Sequence, residues 1–302
     1  MTAGSEDASS RPGAPVFRFA PSPNGQLHLG HALSALSGFD MARRYGGRFL
    51  VRIEDIDIAR CSEANIAAQL EDLAWLGVTW ETPVLRQSQH FADYRAAASR
   101  LEALGLLYPC FATRQDIAAA KRPNAVDPDG APLYPGLHKG MPASEIAARK
   151  QRGEPFALRL DMERALAAAH EKLSGEPLTF TAFAEDGALS TVRARPERWG
   201  DTIVVRKDVP ASYHLSVVVD DARQGVTHVT RGLDLLASTD LHRLLQVLLD
   251  LPAPLYHHHR LITDVEGRKL SKSARDTSLA SLRQAGISPG EIRAMTGLPP
   301  AN

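Results

Sequence analysis

The sequence predicts an α/β fold built on a doubly wound parallel sheet, with an inserted α+β subdomain and a short C-terminal helical segment. Two observations lead to this prediction. Apolar segments of strand length alternate with helically spaced apolar residues near both ends of the 302-residue chain. Between about residues 108 and 199 this alternation is lost, and six prolines interrupt the stretch 109–142. A central segment that lacks the α/β pattern of the two sheet-forming ends is typical of an insertion.

A strand–loop–helix–strand unit opens the predicted sheet. The apolar stretch 16–20 predicts a short buried strand, and the prolines and glycine of 21–25 predict a loop after it. A helix is expected over 30–44, because apolar residues partly share one face there and the glycine pair at 46–47 ends it. The stretch 49–53 predicts the next strand.

The remaining elements are predicted from the same signals. Helices are expected over 62–76, where Ser62 can cap the first turn, and over 92–104. After the insert, the second half of the sheet is predicted from strands at 202–205, 215–219, 226–230 and 256–262 and a helix at 238–249. In a doubly wound sheet the ligand crevice lies at the carboxyl ends of the strands.

Composition excludes several classes of protein. The chain has 35 Lys and Arg against 35 Asp and Glu, and this balance argues against nonspecific coating of nucleic acid. Hydrophobic residues make up 44% of the chain, which allows a substantial core. With two cysteines there is no disulfide framework, and no apolar run reaches the roughly 20 residues that span a bilayer. A cytoplasmic protein is therefore expected.

Two short segments carry the strongest chemical signal. His28-Leu29-Gly30-His31, the two-histidine turn, opens the first predicted helix, where unpaired N–H groups and the helix dipole favour phosphate. Lys269-Leu270-Ser271-Lys272-Ser273, the two-lysine segment, offers ammonium groups that can neutralise a leaving pyrophosphate. Gly30 would let a nucleotide approach the backbone closely. A lone histidine or a lysine-rich loop is more often structural or solvated, but the pair suits the phosphates of one nucleotide.

These segments resemble the HIGH and KMSKS signatures of class I aminoacyl-tRNA synthetases. Four further blocks are similar to the glutamyl subgroup, and the likeness runs in order over residues 16–275. The blocks are Arg18-Phe19-Ala20-Pro21-Ser22-Pro23, Arg52-Ile53-Glu54-Asp55-Ile56-Asp57, Val217-Val218-Val219-Asp220-Asp221 and Thr227-His228-Val229-Thr230-Arg231-Gly232. The resemblance implies that the fold is the Rossmann-like catalytic domain of this class.

The resemblance also implies two sets of site residues. Catalysis and ATP binding fall to His28, Gly30, His31, Lys269 and Lys272. Glutamate binding falls to Arg18, Phe19, Ala20, Pro21, Ser22, Glu54, Tyr213 and Arg231. In these roles Arg18 would bind a carboxylate and Glu54 the substrate ammonium, although Glu54 could instead simply pair with Arg52. Two arginines with one carboxylate suit an acidic amino acid.

The implied reaction has two steps. The glutamate carboxylate attacks the α-phosphorus of ATP, with Mg²⁺ bridging the phosphates, and an RNA hydroxyl then takes the glutamyl group. Only 29 residues follow Ser273, too few for an anticodon-reading module. The chain is therefore similar to the glutamyl-queuosine tRNA(Asp) synthetases, which attach glutamate to queuosine at the wobble position. Their expected partners are L-glutamate, ATP and the anticodon stem-loop of tRNA(Asp), with the protein acting as a monomer.

Composition, pattern and resemblance together divide the chain into five predicted parts. These are a flexible tail at 1–15, the first half of the catalytic domain at 16–107, an acceptor-type insert at 108–200, the second catalytic half at 201–250, and a segment at 251–302 that holds the two-lysine segment and contacts the RNA stem.

The family's zinc site is degenerate in this insert. That site uses a Cys-x-Cys pair and a later Tyr-x-x-x-Cys, and the matching positions here are Cys110, Ala112, Tyr134 and His138. A structural zinc normally takes four nitrogen or sulfur ligands, so an insert held by packing is expected rather than a zinc site.

Two other functions stay open at this point. A minimal glutamyl-tRNA synthetase would charge a tRNA 3′ end, and the acceptor RNA separates it from the queuosine enzyme. A synthetase-like binding protein without catalysis would have no need of the histidine and lysine pairs that this chain keeps.

Overall fold

The computed structural model describes residues 13–263 and 277–300. It contains ten strands: β1 (Val16–Phe19), β2 (Arg48–Ile53), β3 (Leu85–Arg86), β4 (Leu107–Cys110), β5 (Ala157–Leu160), β6 (Thr179–Phe183), β7 (Leu189–Arg193), β8 (Ile203–Val205), β9 (His228–Gly232) and β10 (Leu255–His259). It contains ten α-helices: α1 (Leu29–Arg44), α2 (Glu63–Trp75), α3 (Phe91–Ala103), α4 (Arg114–Ala119), α5 (Ala143–Gln151), α6 (Met162–Lys172), α7 (Tyr213–Arg223), α8 (Leu236–Leu248), α9 (Leu279–Gln284) and α10 (Pro289–Met295). These counts refer to the described residues.

The main sheet has seven strands in the order β3-β2-β1-β9-β10-β6-β7. All neighbours are parallel except β6 and β7, which form an antiparallel pair at one edge. Strands β1 and β9 are adjacent although about 210 residues separate them, with Arg18 opposite Val229. The predicted α/β class with a doubly wound parallel sheet is therefore confirmed, with one antiparallel pair at its edge.

Strands from the middle of the chain contribute to both sheets. Strands β6 and β7 lie between residues 108 and 200 and extend the main sheet through β10. Strands β4, β5 and β8 form a separate three-stranded antiparallel sheet. The strand expected at 202–205 is present at Ile203–Val205, but it belongs to this small sheet. The domain boundaries stay a prediction.

The strand predicted at 215–219 is wrong, because these residues lie inside helix α7. The Ser212 side chain accepts a hydrogen bond from the Leu215 amide and caps the helix. A run of β-branched residues favours a strand when it is read alone, but this helix is buried along most of its length, so it shows no polar face.

The C-terminal helices pack on the first half of the sheet. Leu279 of α9 and Ile292 of α10 are fully buried in the cluster formed by β1, β2, α1 and α2. Arg293 donates to Asp40 of α1 at 2.6 Å. In the part of the chain that the structure describes, no helix has both the length and the apolar character to cross a bilayer.

Candidate active site

A cleft of about 540 Å³ lies at the carboxyl ends of β1, β2, β9 and β10. This is the position that the doubly wound topology predicts. The cleft is lined by all the predicted site residues within the described ranges: Arg18, Phe19, Ala20, Pro21, Ser22, His28, Gly30, His31, Glu54, Tyr213 and Arg231. The predicted site residues Lys269 and Lys272 lie outside the described residues.

The two histidines of the two-histidine turn cap helix α1 reciprocally. Nδ1 of His28 accepts from the Gly30 amide at 3.1 Å, and Nδ1 of His31 accepts from the His28 amide at 3.1 Å. The ring centroids lie 3.9 Å apart. Because each Nδ1 accepts, each neutral ring carries its proton on Nε2. The cap therefore fixes both imidazoles as Nε2–H donors at the wall of the cleft.

Glycine at position 30 makes room for this cap. A Cβ at position 30 would lie 3.0 Å from Cε1 and 3.1 Å from Nδ1 of His28, closer than ordinary contacts. The absence of a side chain thus lets the His28 ring fold back over the first helical turn, in addition to opening the backbone to a ligand.

The chain runs along the cleft on both sides of the stretch 264–276. Before it, residues 260–262 line the cleft. After it, Ser278 forms an isolated β-bridge with His28, and the Leu279 amide donates to the Leu27 carbonyl at 2.8 Å. Both described ends that flank the two-lysine segment are therefore placed at the site of the two-histidine turn.

Five charged side chains form a largely buried cluster at one wall of the cleft, which we call the acidic cluster: Arg18, Arg52, Glu54, Asp220 and Asp221. Asp221 accepts from Arg52 at 2.7 Å and from Arg18 at 3.1 Å, and Glu54 accepts from Arg52 at 3.1 Å. Arg52 also lies 4.0 Å from Asp220. The pairing of Glu54 with Arg52, left open from the sequence, is thus present, and Glu54 lines the cleft as well.

The acidic cluster holds more carboxylates than guanidiniums. When all five groups are ionised, two positive charges face three negative ones. Burial raises the pKa of Glu54 and of Asp220 above their usual range, although Arg52 opposes this in both cases. Burial also disfavours ionised Asp221, but Arg18 and Arg52 outweigh it and hold the pKa of Asp221 below its usual range. In its fully ionised form the cluster therefore lacks one positive charge.

Arg231, unlike the arginines of the acidic cluster, has neutral hydrogen-bond partners. Its guanidinium donates to Oγ1 of Thr239 at 2.7 Å, to Nδ1 of His242 at 3.2 Å and to Nε2 of His258 at 3.4 Å. It also sits 5.4 Å from the ring centroid of Tyr256. None of these partners is a carboxylate.

Tyr213 closes the cleft next to Arg231. It is the first residue of α7, and its ring packs 5.5 Å from His242 and 5.2 Å from His214. Burial raises the pKa of the Tyr213 hydroxyl, which keeps it protonated and able to donate.

The residues of the degenerate zinc site lie together in the middle of the chain, but they do not fit zinc. Cys110 Sγ is 3.3 Å from the Tyr134 hydroxyl, which accepts from the His138 amide at 2.9 Å. Nδ1 of His138 accepts from the amides of Phe111 and Ala112 at 3.1 and 3.2 Å, so it is already occupied. Within the described ranges, no group of three or more His, Cys, Asp and Glu side chains could hold a metal.

The sequence alone did not predict the roles of Arg52, Asp220, Asp221, Thr239 and His242. The first three stand in blocks that were quoted for the family resemblance, but no site role was given to them. Two adjacent aspartates after an apolar run are a signal that a buried cation lies nearby. Nothing in the spacing of Thr239 and His242 points to Arg231, because the contact depends on packing of α8 against β9.

Comparison with known proteins agrees with this geometry. The family model for class I tRNA synthetases (E and Q), catalytic domain, matches residues 16–295. A glutamyl-Q tRNA(Asp) synthetase of Rhodobacter capsulatus is 47% identical over 295 residues, covering 94% of this chain and 100% of that protein. One from Thiobacillus denitrificans is 41% identical, covering 93% of this chain and 89% of that protein.

A solved structure shows the same architecture. The glutamate tRNA ligase of Elizabethkingia meningosepticum, in complex with its amino acid, superposes with a TM-score of 0.72 at 25% identity. The match covers 93% of this chain and 60% of that chain.

Proposed function

The chain belongs to the catalytic-domain family of class I tRNA synthetases for glutamate and glutamine, and from that premise we propose that it activates L-glutamate with ATP and transfers it to queuosine of tRNA(Asp). The observation that carries the proposal is the convergence of three features on one cleft. These are the two-histidine turn, the acidic cluster and Arg231. Each suits a different part of the reactants.

The charges of the cleft match a free acidic amino acid. The acidic cluster lacks one positive charge, which the α-ammonium group of the substrate supplies at Glu54. Arg231 and Arg18 offer N–H donors to a carboxylate, and bidentate pairing with a guanidinium is among the stronger polar contacts. Tyr213 adds a hydroxyl to the same pocket. An apolar side chain would leave the buried Arg231 without an anion.

The nucleotide lies on the two-histidine turn in this proposal. The N-terminus of α1 attracts phosphate through its dipole, and the Nε2–H groups of His28 and His31 donate to phosphate oxygens as charge develops. Lys269 and Lys272 neutralise the leaving pyrophosphate; the support for this role is that residues 260–262 and 278 both lie at the cleft. Mg²⁺ would enter with ATP and would supply further positive charge against the phosphates.

The activation step needs no covalent enzyme intermediate. A glutamate carboxylate oxygen attacks the α-phosphorus of ATP, the bond to the β-phosphate oxygen breaks, and pyrophosphate leaves. The side chains of the cleft hold the two reactants in line and neutralise charge, which is how proteins accelerate phosphorus-centred substitution. A hydroxyl of the acceptor then attacks the glutamyl carbonyl and releases AMP.

The choice of queuosine as acceptor rests on the relatives. Two proteins 47% and 41% identical to this chain are named glutamyl-Q tRNA(Asp) synthetase, and each is covered over at least 89% of its length. We propose the anticodon stem-loop of tRNA(Asp) as the RNA partner, and the cytoplasm as the compartment where tRNA and ATP meet it. A monomeric state stays a prediction.

The acceptor assay tests this proposal directly. The enzyme is incubated with ATP and labelled glutamate, and with tRNA(Asp) that carries or lacks queuosine. A queuosine-bearing tRNA(Asp) without its 3′-terminal adenosine is the matched control. Label on this truncated RNA and on the isolated queuosine stem-loop supports the proposal. Label that requires the 3′-terminal adenosine would instead show a minimal glutamyl-tRNA synthetase, and absence of glutamate-dependent pyrophosphate exchange would show a binding protein.

A further inference from the structure

Arg231 is held differently from the two guanidiniums of the acidic cluster. Arg18 and Arg52 each pair with Asp221 at 3.1 Å or less. Arg231 is 4% exposed, and among the described residues its hydrogen-bond partners are Thr239, His242 and His258. No described carboxylate lies within ion-pair distance of it.

The hydrogen-bond directions require these partners to be neutral. Because Arg231 donates to Nδ1 of His242, the His242 proton is on Nε2, from which it reaches Nδ1 of His214 at 3.3 Å. Thr239 accepts from Arg231, so its own hydroxyl donates to Nε2 of His258 at 3.0 Å. Each ring nitrogen in these contacts can therefore act as either a donor or an acceptor throughout, and no nitrogen has to be both.

The surroundings keep these histidines uncharged. Burial, followed by the charge of Arg231, lowers the pKa of His258 to about 3 and that of His214 to about 4. The same two causes hold the pKa of His242 well below its usual range. Near neutral pH the acceptors therefore orient the guanidinium without cancelling its charge.

We propose that Thr239, His242 and His258 are positioning residues that hold Arg231 through neutral acceptors, so that its whole charge is left for the acidic side chain of the substrate. The inference rests on the proposed function and deepens it. A carboxylate in place of these acceptors would orient Arg231 equally well but would neutralise it. Selection of glutamate over glutamine then follows, since a neutral amide gains much less than a carboxylate from an unpaired buried cation.

A pair of substitutions separates orientation from charge. His242→Asn keeps a neutral acceptor near the position of Nδ1, and His242→Asp places a carboxylate there. In glutamate-dependent ATP–pyrophosphate exchange we expect Asn to change the KM for glutamate less than threefold. Asp raises that KM at least tenfold and lowers the preference for glutamate over glutamine at least tenfold. For both variants, kcat and the KM for ATP stay within threefold of the wild type.

A third variant and a spectroscopic measurement keep the test independent of folding. Thr239→Val removes an acceptor without adding charge, so it raises the KM for glutamate but leaves the glutamate preference unchanged. In the wild type, ¹⁵N NMR should find the His242 proton on Nε2 from pH 6 to 8.

Equal effects of His242→Asn and His242→Asp, or protonation of His242 near pH 6.5, would overturn the inference. The proposed function would still stand if the wild type showed glutamate-dependent exchange. If the wild type showed no exchange with glutamate, the proposed function would fail and the inference with it.

Discussion

Glu54→Gln tests whether Glu54 binds the ammonium group of the substrate or only pairs with Arg52. The substitution keeps the shape of the side chain and an oxygen that can accept from Arg52 at the present 3.1 Å. It removes one of three negative charges from the acidic cluster. Two guanidiniums then face two carboxylates, and the cluster no longer lacks the positive charge that the substrate ammonium supplies.

The expected magnitude follows from the contact that is lost. A buried hydrogen bond between charged groups contributes about 1.5–3 kcal/mol. Each 1.36 kcal/mol is tenfold in rate, so kcat/KM for glutamate should fall about 10- to 150-fold. Stability should change little, by about 1 kcal/mol or less, because burial already disfavours ionised Glu54 and raises its pKa.

Glutamate-dependent ATP–pyrophosphate exchange measures the effect, with the KM for ATP and the melting temperature as internal controls. Glu81→Gln is a matched control variant. Glu81 accepts a hydrogen bond from Arg48 at 2.7 Å, and this pair does not line the cleft. We expect Glu81→Gln to leave the glutamate kinetics unchanged. A Glu54→Gln enzyme with wild-type kcat/KM for glutamate and lowered stability would show that Glu54 is only a structural partner of Arg52.

Three further predictions concern the nucleotide side and the packing of α9. Lys272→Ala should lower exchange at least tenfold, about 1.4 kcal/mol in the barrier, with unchanged melting; unaltered exchange would remove the two-lysine segment from the site. Gly30→Ala should displace the His28 ring, which would lie 3.0 Å from the new Cβ, and lower exchange at least tenfold; retention of full activity would refute the role of the reciprocal cap. Burial raises the pKa of Asp72 to about 6 against the opposing charge of Arg283, so the folded state binds an extra proton between about pH 4 and 6 and gains stability as pH falls through that range. The free energy of unfolding of Asp72→Asn minus that of the wild type, measured by urea denaturation, should therefore be about 1.4 kcal/mol larger at pH 8 than at pH 5. Equal differences at both pH values would contradict the raised pKa.

Local signals were sufficient for β1, β2 and α1 but not for the short edge strand β3, which was not predicted. The strands at 16–19 and 48–53 and helix α1 follow from apolar runs bounded by prolines and glycines. They were insufficient at 215–219, where an apolar β-branched run is buried as helix α7. Ser212 caps this helix, and a short apolar run alone cannot distinguish a buried strand from a buried helix.

The residues that line the cleft could be predicted better than the contacts that hold them in place. The residues that line it stand in short blocks, and each block comes at the end of a strand or the start of a helix. The supporting contacts depend on pairs far apart in the chain, such as Arg52 with Asp221, 169 residues away. Such contacts are set by strand order and helix packing, which the spacing of residues within one block does not contain.

A crystal structure with the non-hydrolysable glutamyl-adenylate analogue glutamyl-sulfamoyl-adenosine tests the central claim most directly. We expect one bound molecule in the cleft, with its sulfamoyl group between the two-histidine turn and Lys272. Its ammonium should contact Glu54 and its side-chain carboxylate Arg231. An analogue bound elsewhere, or a two-lysine segment that faces a different surface from His28 and His31, would contradict the account.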